Sequence, residues 1–151
     1  MRGVVQRVTG ASLRVTVDGD EREHARIGPG LCVLLGVEKG DTDADIAWMV
    51  GKIANLRVFE DEQGKMNRSV LETGGEVLLV PNFTVAGEAR KGRRPSFDNS
   101  MRPPGASDYF DRVTAGLGAE GVRTAAGVFG GDMRVELVND GPVTIVLESN
   151  A

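Results

Sequence analysis

Residues Asn139–Glu148 read NDGPVTIVLE. Asn139-Asp140-Gly141 is already a complete turn signal ahead of an apolar strand. Pro142 then stands where that strand should begin donating hydrogen bonds, although proline has no N–H and restricts the residue before it. Either Pro142 is the first strand residue at a hairpin corner, or Gly141-Pro142 is itself a working part. In both cases MRVELV (133–138) and VTIVLE (143–148) are expected as strands on either side of it.

Further strands are expected upstream. GVVQRV (3–8) and SLRVTVDG (12–19) are short β-branched segments, and EREHARI (21–27) returns antiparallel after the Asp18-Gly19-Asp20 turn. LCVLLGV (31–37) is an apolar run short enough for a buried strand. GGEVLLVPNFTV (74–85) is the strongest strand signal, ending near Pro81, and LRVFEDEQGKMN (56–67) reads as a strand entering a polar turn. One helix follows a cap at Asp41 or Thr42, with Ile46, Met49, Val50, Ile53 and Leu56 at helical spacing. Trp48 lies off that stripe, which suits either a subunit contact or partial cover by a loop. A second helix is expected from about Ser107 to Leu117. The sum is one α+β domain over residues 1–151, a mainly antiparallel, barrel-like sheet with two packed helices.

Composition narrows the function classes. Hydrophobic residues at 40% and charged residues at 26% suit a soluble globular chain. No apolar run approaches the roughly 20 residues of a membrane span, so no membrane partner is expected. The N-terminal stretch alternates like a strand and lacks the apolar block of a signal peptide. Cys32 is the single cysteine, so no internal disulfide forms and the expected compartment is the cytoplasm. A net charge of -4 argues against a protein that coats nucleic acid, and leaves room for a local basic site.

Side-chain chemistry is sparse. His24, the one histidine, sits in a charged strand-like segment and is expected to face solvent. Cys32 is expected as a buried, inert thiol. No His/Cys spacing suits a metal, and no cofactor motif is present. Three segments remain. PNFTV, Pro81–Val85, offers the Asn82 amide, the Thr84 hydroxyl and backbone N–H groups, including that of Phe83, where strand pairing stops. These can form an oxyanion hole or merely a polar strand exit. RKGRR concentrates Arg90, Lys91, Arg93 and Arg94 beside Phe97, as a phosphate contact or as a solvated loop. The third is Gly141-Pro142.

QRVTGASLRV (6–15), LLGVEKGD (34–41), GKMN (64–67), RPSF (94–97) and GDMRVELVNDGPVT (131–144), in this order, resemble the D-aminoacyl-tRNA deacylase family over essentially the whole chain. The resemblance implies a homodimer that hydrolyses the ester of D-amino acids, and of glycine, mischarged onto tRNA. It implies that Gly141 and Pro142, joined in the cis form and braced by Arg7, enter the partner's site and exclude L-side chains. Pro81-Asn82-Phe83-Thr84-Val85 maps onto the family's Ser-Gln-Phe-Thr-Leu motif, with proline, asparagine and valine replacing serine, glutamine and leucine. The Phe83 N–H is then the oxyanion donor, Thr84 lines the site, and the 2′-hydroxyl of the terminal adenosine takes the place of a protein base. The partner is aminoacyl-tRNA, with no DNA and no metal. A non-catalytic tRNA-binding homodimer of the same fold, or a deacylase with altered substrate range, is the alternative.

Overall fold

A computed structural model describes residues 1–150. Its strands are β1 (Arg2–Val17), β2 (Asp20–Ile27), β3 (Gly30–Gly36), β4 (Phe59–Glu60), β5 (Met66–Arg68), β6 (Glu76–Pro81), β7 (Arg123–Ala126) and β8 (Asp132–Glu148). Its helices are α1 (Asp43–Asn55), α2 (Val70–Thr73) and α3 (Gly105–Ala119). The main sheet runs β2-β1-β3-β6-β7, and β8 pairs with β1 along its other edge. All pairings of β1 are antiparallel, whereas β3–β6 and β6–β7 are parallel. The sheet is therefore antiparallel around β1 and parallel at its far side.

Two strands are longer than their sequence suggests. GVVQRV and SLRVTVDG form one strand, because β8 pairs with β1 from Arg2 to Thr16 and carries it through Thr9-Gly10. MRVELV and VTIVLE likewise belong to one β8, not two strands. The helix expected at 107–117 begins two residues earlier and ends two later. The third helix, α2, is a single turn closed by a capping box. Ser69 Oγ accepts from the Glu72 N–H at 3.1 Å, and Glu72 accepts from the Ser69 N–H at 2.7 Å.

Alternation along the strands builds two cores. Leu31, Val33 and Leu35 of β3, with Val77 and Leu79 of β6, face α1 and α3; Cys32, Leu78 and Val80 face a second cluster with Val8, Leu13 and Val15. Burial on both faces is why these two strands read as unbroken apolar runs. β1 passes from the first core to the second near Arg7, since Val5 belongs to one and Val8 to the other. β8 crosses at the same level: Val135 and Leu137 pack on the second core, Val143 and Ile145 on the first. Trp48 is half-buried on α1, with Lys52 Nζ 5.5 Å above its ring.

Candidate active site

β6 ends at Pro81, opposite Leu35, and the Asn82 N–H donates to the Leu35 carbonyl at 2.8 Å. The chain then makes one 3-10 turn, Phe83–Ala86, with Asn82 as its N-cap. The first amides of a helix have no partner inside it. The Val85 N–H reaches the Asn82 carbonyl at 3.2 Å; those of Phe83 and Thr84 donate to no acceptor among the described residues. The Thr84 hydroxyl donates to Asn82 Oδ1 at 2.6 Å. Gly36 permits this approach: a Cβ there would meet the Ala86 nitrogen at 3.0 Å and the Asn82 oxygen at 3.1 Å. Phe83 is 42% exposed, its ring centroid 5.0 Å from that of Phe97. Its carbonyl accepts from Ser100 Oγ at 3.2 Å.

This turn forms one rim of a cavity of about 820 Å³. Leu34, Val80, Phe83, Phe129, Val135 and Leu137 are among its apolar lining, and Asn82, Arg102 and Asp132 are its polar side chains. Arg102, Asp132 and Phe129 were not expected here from sequence. Arg102 comes from the loop before α3, Phe129 from the loop before β8 and Asp132 from the first position of β8, and only the fold brings them to PNFTV. Among the described residues, Arg102 and Asp132 are the only ionisable ones lining the cavity. His24 is exposed on β2, and Cys32 is buried, its thiol pushed up to about 11 by desolvation. No group of acidic, histidine or cysteine side chains among the described residues could hold a metal.

Gly141 and Pro142 lie elsewhere. In the β1–β8 ladder Gln6 faces Thr144 and Val8 faces Asn139, so Arg7 alone stands opposite the four residues 140–143. The Gly141–Pro142 peptide is cis and both residues are exposed. Gly141 has φ +135, and a Cβ there would meet Val143 Cγ2 at 2.8 Å and Arg7 Nη2 at 3.2 Å, so only glycine suits the position. Arg7 is buried, and its Nε donates to the Asp140 carbonyl at 2.9 Å and its Nη1 to the Val58 carbonyl at 2.6 Å.

Within one chain these two groups do not meet. Arg7 pairs with Leu31, whereas Pro81 shares its row with Leu35 and Gly3, four residues further along β1. That separates them by roughly 13 Å along the strands, and β8 lies on the other side of β1 from β3. Pro81, Asn82, Phe83 and Thr84 thus form one cluster; Gly141, Pro142 and Arg7 form another.

The basic loop is pinned at its base by the Glu88–Ser96 bridge, with N···O distances of 2.8 Å in both directions. Arg90 pairs with Glu88 at 3.5 Å; Lys91, Arg93 and Arg94 are exposed and ion-paired to nothing among the described residues. Phe97 packs on Phe83 rather than standing free, which ties the loop to the rim.

Comparison with known proteins gives the chain's family and solved structures that share its fold. The family described as D-Tyr-tRNA(Tyr) deacylase matches residues 4–148. The D-aminoacyl-tRNA deacylase of Myxococcus xanthus is 55% identical over 99% of this chain and 95% of its own. That of Geobacter sulfurreducens is 50% identical over 100% of this chain and 97% of its own. A solved structure named c-Myc DNA Unwinding Element Binding Protein superposes with a TM-score of 0.90 at 43% identity, covering 100% of both chains. A probable eukaryotic D-amino acid tRNA deacylase shares the fold, with a TM-score of 0.80 at 18% identity over 97% of each chain. An α+β chain with this motif order, matched to the family from Val4 to Glu148, belongs to the D-Tyr-tRNA(Tyr) deacylase family.

Proposed function

We propose that this protein hydrolyses the ester bond of D-aminoacyl-tRNA, and of glycyl-tRNA, and spares L-aminoacyl-tRNA. The observation that carries the chemistry is the pair of undonated N–H groups of Phe83 and Thr84 at the rim of a largely apolar cavity. Water attacks the ester carbonyl, and its oxygen gains negative charge in the tetrahedral intermediate. Pre-aimed backbone donors stabilise that charge without reorganising. The 2′-hydroxyl of the terminal adenosine assists the step in place of a side-chain base. Residues 82–86 of the rim carry no ionisable side chain, which supports that assignment.

Discrimination is assigned to Gly141-Pro142 of a second copy. The dipeptide is exposed and remote from the rim of its own chain, so a homodimer is the arrangement that brings the two together. The filter acts by exclusion, so glycine passes it. Arg90, Lys91, Arg93 and Arg94 contact tRNA phosphates. The substrate places the work in the cytoplasm.

Single-turnover deacylation of D-Tyr-, Gly- and L-Tyr-tRNA tests this. Hydrolysis of the first two with the third spared is expected. No hydrolysis of D-Tyr-tRNA despite tRNA binding would overturn the enzyme and favour a binding homodimer. Cleavage of D-Tyr-tRNA with Gly-tRNA spared would mean that the site reads the side chain and does not merely exclude one.

A further inference from the structure

The excursion at residues 140–143 has two ends, and Arg7 holds only the first, through the Asp140 carbonyl. The second end emerges at Val143, beyond a proline that donates nothing. Val143 has no ladder partner on β1, because the register jumps from Asn139 to Thr144. Its backbone is instead bonded by a side chain. The Val143 N–H donates to Asn139 Oδ1 at 2.8 Å, and Asn139 Nδ2 donates back to the Val143 carbonyl at 3.3 Å. The same Nδ2 donates to Thr144 Oγ1 at 3.1 Å, which also accepts from Gln6 Nε2 at 3.4 Å.

Asn139 thus does for Val143 what a neighbouring strand does for a paired residue, meeting its donor and its acceptor together. A primary amide carries both functions; a carboxylate carries only the acceptor. Val143 also touches Gly141: a Cβ at Gly141 would lie 3.0 Å from the Val143 nitrogen. Fixing Val143 therefore fixes the far side of the dipeptide. We infer that Asn139 is a positioning residue for Gly141-Pro142, and that it sets the discrimination between D- and L-aminoacyl-tRNA by clamping the end that Arg7 does not reach. This rests on the dipeptide being the filter proposed above. A wall that excludes by shape rejects only as well as it is held still.

The test measures kcat/KM on D-Tyr-tRNA and L-Tyr-tRNA for wild type, Asn139→Ala, Asn139→Asp and Thr144→Val, with a thermal melt of each. Asn139→Ala should lower the D-over-L ratio about tenfold or more, the effect of losing one to two net hydrogen bonds. Asn139→Asp, which keeps the acceptor, should fall between it and wild type. Thr144→Val leaves the Val143 bracket intact and should keep the ratio within about twofold. A folded Asn139→Ala with the wild-type ratio overturns the inference, whether or not its Tm has dropped, because the role is then structural only. Should that variant not fold, Asn139→Asp decides: an unchanged ratio overturns it equally. Wild type inert on D-Tyr-tRNA would overturn the proposed function instead.

Discussion

At the scale of the residue, the chemistry is assigned to backbone rather than to side chains, and one substitution separates the two. Phe83 is the first residue of the 3-10 turn, where proline is sterically welcome, and Asn82 before it is extended, at φ -138 and ψ 91. Phe83→Pro deletes the proposed oxyanion donor while keeping a conformation the site accepts. It should lower kcat by about 10²–10³-fold, the range for loss of one such donor. Phe83→Leu keeps the N–H, gives up the ring packing on Phe97, and should stay within about tenfold of wild type. Equal damage from both would mean that the ring matters and the amide does not. Thr84 gives the complementary case. Its hydroxyl donates to Asn82, an amide that cannot take up its proton, so nothing there activates it as a nucleophile. Thr84→Ala should retain substantial activity, read from the same rate assay. Complete loss, with an aminoacyl-enzyme ester trapped in the wild type, would refute this.

At the scale of the element, the site is set by where two parallel strands stop. β3 ends at Gly36 and β6 at Pro81, and the 3-10 turn is pressed against the glycine. A Cβ at Gly36 would also meet Val85 Cβ at 3.3 Å, so Gly36→Ala pushes the turn outward by a few tenths of an ångström. Backbone donors tolerate little displacement, and kcat should fall about tenfold. Far-UV circular dichroism should stay unchanged; a variant with wild-type kcat would show that the turn's seat is not critical. These elements were legible to different degrees. β3 and β6 show as short unbroken apolar runs and α1 by its helical periodicity, and Thr42 proved to be the cap of α1. The strand end near Pro81 was legible because a proline stands there, but the 3-10 turn that follows it was not. α2 was missed although Ser69 and Glu72 stand at capping-box spacing. β7, RTAA, has no strand pattern of its own and exists by parallel pairing with β6. The cavity walls were not legible, since Arg102, Phe129 and Leu137 meet PNFTV only through pairings distant in sequence.

At the scale of the whole molecule, the proposed tRNA contact and the proposed dimer each have a direct test. The protein carries a net charge of -4, yet Arg90, Lys91, Arg93 and Arg94 project together beside the rim. Replacing all four with alanine should weaken tRNA binding and reduce its salt dependence by about one unit of slope for each phosphate no longer neutralised. An unchanged slope would make the loop solvated surface only. A site shared between two subunits, as proposed, has a sharper consequence. If the rim of one subunit works with the dipeptide of the other, two inactive variants can rescue each other. Phe83→Pro damages the rim, and Arg7→Ala removes the bonds to the Asp140 and Val58 carbonyls, so that the unheld dipeptide no longer seats the aminoacyl group of a D-substrate at the partner's rim. In a mixed dimer one site receives both damaged parts and the other receives neither. Random pairing makes half of the dimers mixed, each with one intact site of two, so mixing equal amounts should restore about a quarter of wild-type activity. Refolding the variants together, then measuring D-Tyr-tRNA hydrolysis against each alone, gives the answer. If Gly141-Pro142 served its own chain, every site would keep a damaged part, and the mixture would be as inactive as its components.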